Sequence, residues 1–135
     1  MEQSYIQSIV RKYEEDLRKV KLDGYTLEFV KQQTPELCLG AVKQRGYALK
    51  WVKEKTPELC LAAVKQDGYA LQFVKEQTPE VCLVAVKQDG YSLYYVKEQT
   101  HELCWEAIKQ KQNRYSLHYV KDPILREQIK LHFNL

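Results

Sequence analysis

The sequence lacks long hydrophobic runs, and none approaches the roughly 18 apolar residues of a membrane-spanning helix. The first residues, MEQSYIQSIVRKYEED, have neither the basic segment nor the apolar core of a signal peptide. Net charge is only +3, which by itself indicates no acidic partner. Because 44% of the 135 residues are hydrophobic and 29% are charged, we expect a folded, soluble, cytoplasmic protein of one domain.

Residues that could support catalysis are few and scattered. The three histidines, His101, His118 and His132, fit no Ser-His-Asp or Cys-His pattern, and the chain has no glycine-rich phosphate loop. His101 and Cys104, three residues apart, give a weak hint of a metal site, but His101 stands where other copies of a repeat have proline. We therefore predict a non-enzymatic protein with no catalytic, cofactor-binding or metal-binding residues and no cofactor.

A 22-residue repeat organises most of the chain. The copy GYALQFVKEQTPEVCLVAVKQD begins at Gly68, and the others begin at Gly24, Gly46 and Gly90. A fixed period of this length is typical of stacked repeats, and helices of about ten residues need such stacking to be stable. The sequence therefore predicts an all-α fold, namely an α-solenoid of short antiparallel helix pairs with a capping helix at each end. Its handedness stays open.

The whole chain, residues 1–135, is predicted to form a single repeat domain. Residues 1–22 form the predicted N-terminal capping helix, and residues 114–135 form a half repeat and a C-terminal capping helix that starts at Asp122-Pro123. The four repeats between them are assigned to residues 24–45, 46–67, 68–89 and 90–113.

Each repeat contains two predicted helices. The second starts with a threonine cap and proline, as in Thr78-Pro79, and places small Cys and Ala residues at the centre of its apolar stripe. The first is predicted to be a helix of about eight residues, too short to be stable alone. Gly90 follows the second helix of the third repeat and is predicted to end that helix in a left-handed conformation.

The four cysteines occupy the same position in successive repeats. Stacked helices lie about 8–10 Å apart, whereas a disulfide needs Cα atoms within about 7 Å. The sequence also contains no CxxC pair. We therefore predict free, buried thiols at Cys38, Cys60, Cys82 and Cys104.

The two ends depart from the repeat. An apolar stripe on the first helix is expected to cover the first repeat, and the alternative is a coiled-coil contact that would make a homodimer. The stripe consists of Ile6, Val10, Tyr13, Leu17 and Val20. Near the other end two extra residues precede Tyr115, and arginine replaces the turn glycine at position 114. There we expect the preceding helix to continue and Asn113 to take the left-handed turn.

Exposed positions that differ between copies are candidates for specificity. One such position, called here the variable slot, carries Glu28, Lys50, Gln72, Tyr94 and His118. Variation increases toward the C-terminal half and introduces aromatic residues, which are enriched at interface hot spots. We predict a protein-binding patch around Tyr94, Trp105 and His118. The predicted partner-binding residues are Lys50, Gln72, Tyr94, Trp105, Glu106 and His118. Drift on a tolerant surface, with packing against the C-terminal cap, is the alternative.

Two rows of lysines also run along the repeats and could follow a phosphate backbone. They comprise Lys31, Lys53, Lys75, Lys97 and Lys121, and Lys43, Lys65, Lys87 and Lys109. Because rows of glutamates accompany them, we expect a solvated surface of compensated charge. Nucleic-acid binding through the lysines remains the second candidate function, and a structural homodimer or scaffold the third.

The pattern GYALxxVKxxTPExCLxAVKQx resembles that of a bacterial, phage and giant-virus family of tandem helical repeats of unknown function. The resemblance covers about residues 23–120 and departs from the pattern at His101, at Arg114 and at the insertion before it. The resemblance implies a fold of tandem helical repeats. It implies no activity, because the family has no assigned one. Repeats of this kind occur in effectors and phage proteins that act on host machinery. The resemblance thus implies a protein-binding inhibitor that blocks a host or defence protein.

Overall fold

The computed structural model describes residues 2–110 and 114–135. Within these residues α-helices alternate with 3₁₀-helices and no β-strand is present, so the predicted all-α fold is confirmed. The α-helices are Glu2–Leu22 (α1), Pro35–Gln44 (α2), Pro57–Gln66 (α3), Pro79–Gln88 (α4), His101–Lys109 (α5) and Pro123–Phe133 (α6). The 3₁₀-helices are Gly24–Phe29 (η1), Gly46–Trp51 (η2), Gly68–Phe73 (η3), Gly90–Tyr95 (η4) and Arg114–Tyr119 (η5).

The α-helix of each repeat starts at its threonine, as the sequence predicts. The Thr78 hydroxyl oxygen accepts a hydrogen bond from the Val81 backbone N–H at 3.2 Å, and Pro79 occupies the first turn. Thr100 caps α5 in the same way, although His101 replaces proline there. The hydroxyl cap therefore suffices to define the start of this helix.

The first segment of each repeat is a 3₁₀-helix of six residues, not the longer helix expected from the sequence. In η3 the Asp67 carboxylate accepts the Tyr69 N–H, and the Ala70 N–H bonds to the Asp67 carbonyl at 3.0 Å. These contacts span two and three residues, so they close a tighter turn than an α-helix has. In this segment Leu71 is buried and Phe73 is half-buried.

The turn glycines do not adopt the left-handed conformation that the sequence predicts. None of the glycines in the described residues has a positive φ. Instead, a Cβ added to Gly68 would lie 2.6 Å from the Ala85 carbonyl oxygen on α4. The Gly68 N–H also donates to Gln88 Oε1 at 2.7 Å. Glycine is therefore required here because the start of η3 lies directly against the end of α4.

The helices stack in two layers. Consecutive α-helices from α1 to α5 pack against one another, and so do consecutive 3₁₀-helices from η1 to η5. Each 3₁₀-helix from η1 to η4 also contacts the α-helix that follows it, which encloses a continuous apolar core. The core contains the four cysteines, which are buried and free as predicted: Cys38, Cys60, Cys82 and Cys104.

Glutamine side chains connect neighbouring repeats. Gln77 donates to the Tyr95 carbonyl at 2.8 Å and accepts the Lys97 N–H at 3.0 Å, so it bonds to the backbone of the next repeat. Gln33 and Gln99 make the equivalent pair of bonds. The second repeat has Lys55 in this position, and its ammonium donates to the Val52 carbonyl within its own repeat.

The two ends differ from the predictions in part. Val20 at the end of α1 is buried, whereas Ile6 is 58% exposed and Val10 48% exposed, so only the second half of the predicted stripe covers the first repeat. At the other end α5 stops at Lys109 and does not continue as expected. The turn assigned to Asn113 lies outside the described residues. Among those residues, no helix has both the length and the hydropathy that crossing a membrane requires.

Candidate binding face

The layer of 3₁₀-helices carries a row of aromatic rings. The tyrosine after each turn glycine contacts the aromatic residue at the end of the next 3₁₀-helix, which places rings from neighbouring repeats edge to face. The ring pairs and their centroid distances are Tyr25–Trp51 at 5.5 Å, Tyr47–Phe73 at 4.8 Å, Tyr69–Tyr95 at 6.0 Å and Tyr91–Tyr119 at 6.2 Å. We call this set the aromatic row.

Five tyrosines line an open cleft at the C-terminal end of the aromatic row. The cleft has a volume of about 380 Å³ and is lined by Tyr69, Tyr91, Tyr94, Tyr95 and Tyr119, the tyrosine cleft hereafter. Tyr94 stands nearly perpendicular to Tyr95, at 86° and 5.1 Å, and at 70° and 5.3 Å to Tyr119. Its ring is 64% exposed, so a ligand can reach it.

A carboxylate lies beside the tyrosine cleft. Asp89 accepts the Tyr91 N–H at 2.9 Å and so fixes the start of η4. Burial, together with the neighbouring Asp89 carboxylate, raises the pKa of Tyr69 to about 12. The Tyr69 hydroxyl is protonated at neutral pH, as an ordinary tyrosine is, and it hydrogen-bonds to the Asp89 carboxylate.

At the N-terminal end of the aromatic row, the chain's own cations lie over the rings. The Arg45 guanidinium is 5.1 Å from the centre of the Tyr25 ring, and the Lys50 ammonium is 5.7 Å from the centre of Trp51. Both distances are within the range of a cation–π interaction. The row is therefore chemically suited to cations along part of its length.

The predicted binding residues fall into two groups. Lys50, Gln72, Tyr94 and His118 are exposed positions of the 3₁₀ layer, and Tyr94 belongs to the tyrosine cleft. Gln72 also donates to the Tyr69 carbonyl at 3.0 Å.

Trp105 and Glu106 lie instead on α5. The Trp105 ring packs 5.0 Å from His132 and 5.6 Å from Phe133, both on α6, and Glu106 pairs with Lys109 at 3.1 Å. Since the recorded ring contacts of Trp105 are with α6, this residue has a role in closing the stack.

A family model described as "Domain of unknown function (DUF4116)" matches residues 56–100. This part of the chain is similar to that family. The match runs from the cap of α3 to the cap of α5 and lies inside the range over which the sequence pattern resembles helical-repeat proteins. No curated protein and no solved structure matches the chain.

Sequence reasoning missed most of the tyrosine cleft. Specificity was expected at exposed positions that differ between copies, whereas Tyr69 and Tyr91 stand at a position that is tyrosine in every copy and Tyr119 at one that is always aromatic. The available signal was the pairing of a constant tyrosine with a constant aromatic residue, which stacking brings together. Of the five tyrosines of the cleft, only Tyr94, which occupies the variable slot, was predicted to bind a partner.

Other surface features follow from the repeat. Grooves of about 940 Å³ and 570 Å³ open between the starts of α3 and α4 and of α4 and α5, each lined by both lysines and glutamates. The Lys53 ammonium donates to the Lys31 carbonyl at 2.8 Å, and Lys97 donates to Lys75 at 2.7 Å. Because these ammonium groups bind backbone of the previous repeat, they serve stacking and are less available to a phosphate chain.

Proposed function

We propose that this protein is a non-enzymatic module that binds a protein partner through the tyrosine cleft and the adjoining variable slot. The observation that supports this most directly is Tyr94, whose ring is 64% exposed while held at right angles to its neighbours. Tyrosines supply much contact area and lose little rotamer freedom on binding, so they are frequent hot-spot residues. A pre-organised cluster reduces the cost of binding further.

The proposed mode of action is occupation of a partner's surface, as an inhibitor of a host or defence protein would act. The stacked scaffold supports this mode because η3 and η4, which carry four of the five tyrosines of the cleft, each pack between two other 3₁₀-helices. We place this activity in the cytoplasm. Reducing conditions there suit a chain with four free, buried cysteines.

A second candidate, self-association through α1, is favoured by a different observation. The first half of α1 presents four exposed apolar side chains on a helix of 21 residues. They are Tyr5, Ile6, Ile9 and Val10, with exposures of 70%, 58%, 52% and 48%. A second copy of the helix could cover this surface, since two such stripes are self-complementary.

The binding proposal is tested by affinity capture from the native host with matched variants. Tyr94→Ala removes an exposed ring inside the tyrosine cleft, and Phe29→Ala removes one that is 79% exposed at the other end of the 3₁₀ layer. We expect a captured protein to be lost with Tyr94→Ala and with His118→Ala, and to be retained with Phe29→Ala. Equal recovery by the wild type and Tyr94→Ala would show that the cleft is not the binding surface.

A further inference from the structure

We propose that the tyrosine cleft binds a methylated ammonium group, presented by a lysine side chain of the protein partner. The inference rests on the proposed function and adds the chemistry that the site recognises. Three features of the described residues support it: the arrangement of the rings, the cations already bound elsewhere in the aromatic row, and the Asp89 carboxylate.

The ring arrangement provides walls on several sides. An aromatic ring is negative on its face, and methylated ammonium groups are bound in proteins by cages of such rings. Tyr94 lies at 86° to Tyr95 and 70° to Tyr119, and Tyr91 lies at 73° to Tyr119. Rings set at these angles present their faces in different directions around an open cleft, which parallel stacked rings would not. The volume of about 380 Å³ accommodates a small alkylated cation.

At the N-terminal end of the aromatic row, the equivalent positions of the repeat carry cations that lie close to the rings. Arg45, the residue before a turn glycine, lies 5.1 Å over Tyr25, and Lys50 of the variable slot lies 5.7 Å from Trp51. Two repeats later these positions carry Asp89 and Tyr94. The chain thus replaces its own two cations with a carboxylate and a further ring. Among the described residues, no cationic side chain is recorded over the rings of the tyrosine cleft.

The charge beside the cleft has the sign that this ligand requires. The Asp89 carboxylate lies beside the Tyr69 hydroxyl, and the hydroxyls of Tyr91 and Tyr119 lie in the same neighbourhood. A carboxylate next to these rings attracts an ammonium group and repels a phosphate or a carboxylate ligand. The cleft therefore has a carboxylate at its side, on a chain whose net charge is +3.

The first test is a titration of the full chain with tetramethylammonium chloride, followed by NMR of the tyrosine rings. We expect saturable shifts that are largest for Tyr94, Tyr95 and Tyr119. The uncharged compound tert-butanol has a similar shape and should bind about tenfold more weakly, because it lacks the cation–π attraction. Sodium chloride at the same ionic strength controls for general salt effects.

Matched variants then connect the binding to the residues. Tyr94→Ala is expected to weaken tetramethylammonium binding by about tenfold, while Phe29→Ala leaves it unchanged. Asp89→Asn keeps an acceptor for the Tyr91 N–H and removes the charge, so binding should fall by about threefold to tenfold. Asp23→Asn changes the equivalent cap three repeats earlier, where Asp23 accepts the Tyr25 N–H outside the tyrosine cleft, and serves as the control.

The source of the cation is tested with a peptide that contains trimethyllysine and with free choline. Tighter binding of the peptide supports a protein partner, whereas choline binding as tightly as the peptide would overturn that source. Equal shifts with tetramethylammonium and tert-butanol would overturn the cation inference altogether. That result leaves the proposed function standing if partner capture still depends on Tyr94. Cation binding without any captured partner would instead contradict the proposed function.

Discussion

At the scale of single residues, glycine has two different roles in this chain. Gly68 lies where two backbones meet, because an added Cβ would be 2.6 Å from the Ala85 carbonyl oxygen and 2.9 Å from Gln88 Oε1. Gly40 lies within α2, where an added Cβ would meet Lys21 and Val20 of α1 at an ordinary 3.7 Å. The same substitution should therefore have opposite effects at the two sites.

We predict that Gly68→Ala lowers the free energy of unfolding by about 2–3 kcal/mol, since the new methyl forces η3 away from α4. Gly40→Ala should raise it by about 0.5–1 kcal/mol, because alanine favours the helix and meets no close neighbour. Urea unfolding followed by circular dichroism measures both changes. Equal effects at the two positions would contradict the close approach described for Gly68.

The residue scale also shows what the sequence could predict. Burial of Cys38 and its equivalents was predictable because each stands at the centre of an apolar stripe in every copy. Trp105 was predicted to belong to one patch with Tyr94, and the structure places its ring against α6. Which side of a repeat faces a closing helix depends on the geometry of the stack, and the repeat pattern does not contain that information.

At the scale of elements, local signals were sufficient to predict where the α-helices of the repeats start and insufficient for the 3₁₀-helices. A threonine cap followed by proline acts within one turn, so the start of α4 could be predicted from sequence. The segment at Gly68–Phe73 has an apolar spacing that suits either helix type, and the aspartate cap and close packing on α4 select the tighter one. The tyrosine cleft needs rings from neighbouring repeats, so it depends on the stacking register.

The glutamine bonds between repeats give a prediction at this scale. Gln77→Ala removes two bonds to the next repeat and leaves the Tyr95 carbonyl and the Lys97 N–H without that partner, which should cost about 2–3 kcal/mol. Lys55→Gln should restore the missing connection between the second and third repeats and stabilise the chain by about 1 kcal/mol. Lys55→Ala is the matched control and should change stability by less than Gln77→Ala.

Denaturant unfolding measures these three variants. The order of stability we expect, from highest to lowest, is Lys55→Gln, wild type, Lys55→Ala and Gln77→Ala. If Gln77→Ala were as stable as the wild type, apolar contacts alone would hold neighbouring repeats together. The choice of glutamine or lysine at the position of Gln77 and Lys55 would then have no effect on the stacking.

At the scale of the whole molecule, each repeat depends on its neighbours, so the free surface of a terminal helix has direct consequences. The exposed half of α1 concentrates apolar area at one end of the stack, and Tyr5 and Ile6 are its most exposed members. Self-association through this surface would place two tyrosine clefts in one particle. Two linked sites bind a partner that carries two ligands far more tightly than one site does.

We therefore predict that the protein dimerises in a concentration-dependent manner and that Ile6→Glu weakens the dimer by at least about tenfold, because it places a charge in the apolar contact. Glutamate preserves the helix, so the loss would come from the interface. Ile124→Glu makes the same change at an isoleucine that is 72% exposed on α6, and should leave the dimer intact. Sedimentation velocity over a range of concentrations distinguishes the outcomes. A wild-type chain that stays monomeric at every concentration would exclude the dimer, and the binding proposal would then rest on a single tyrosine cleft per particle.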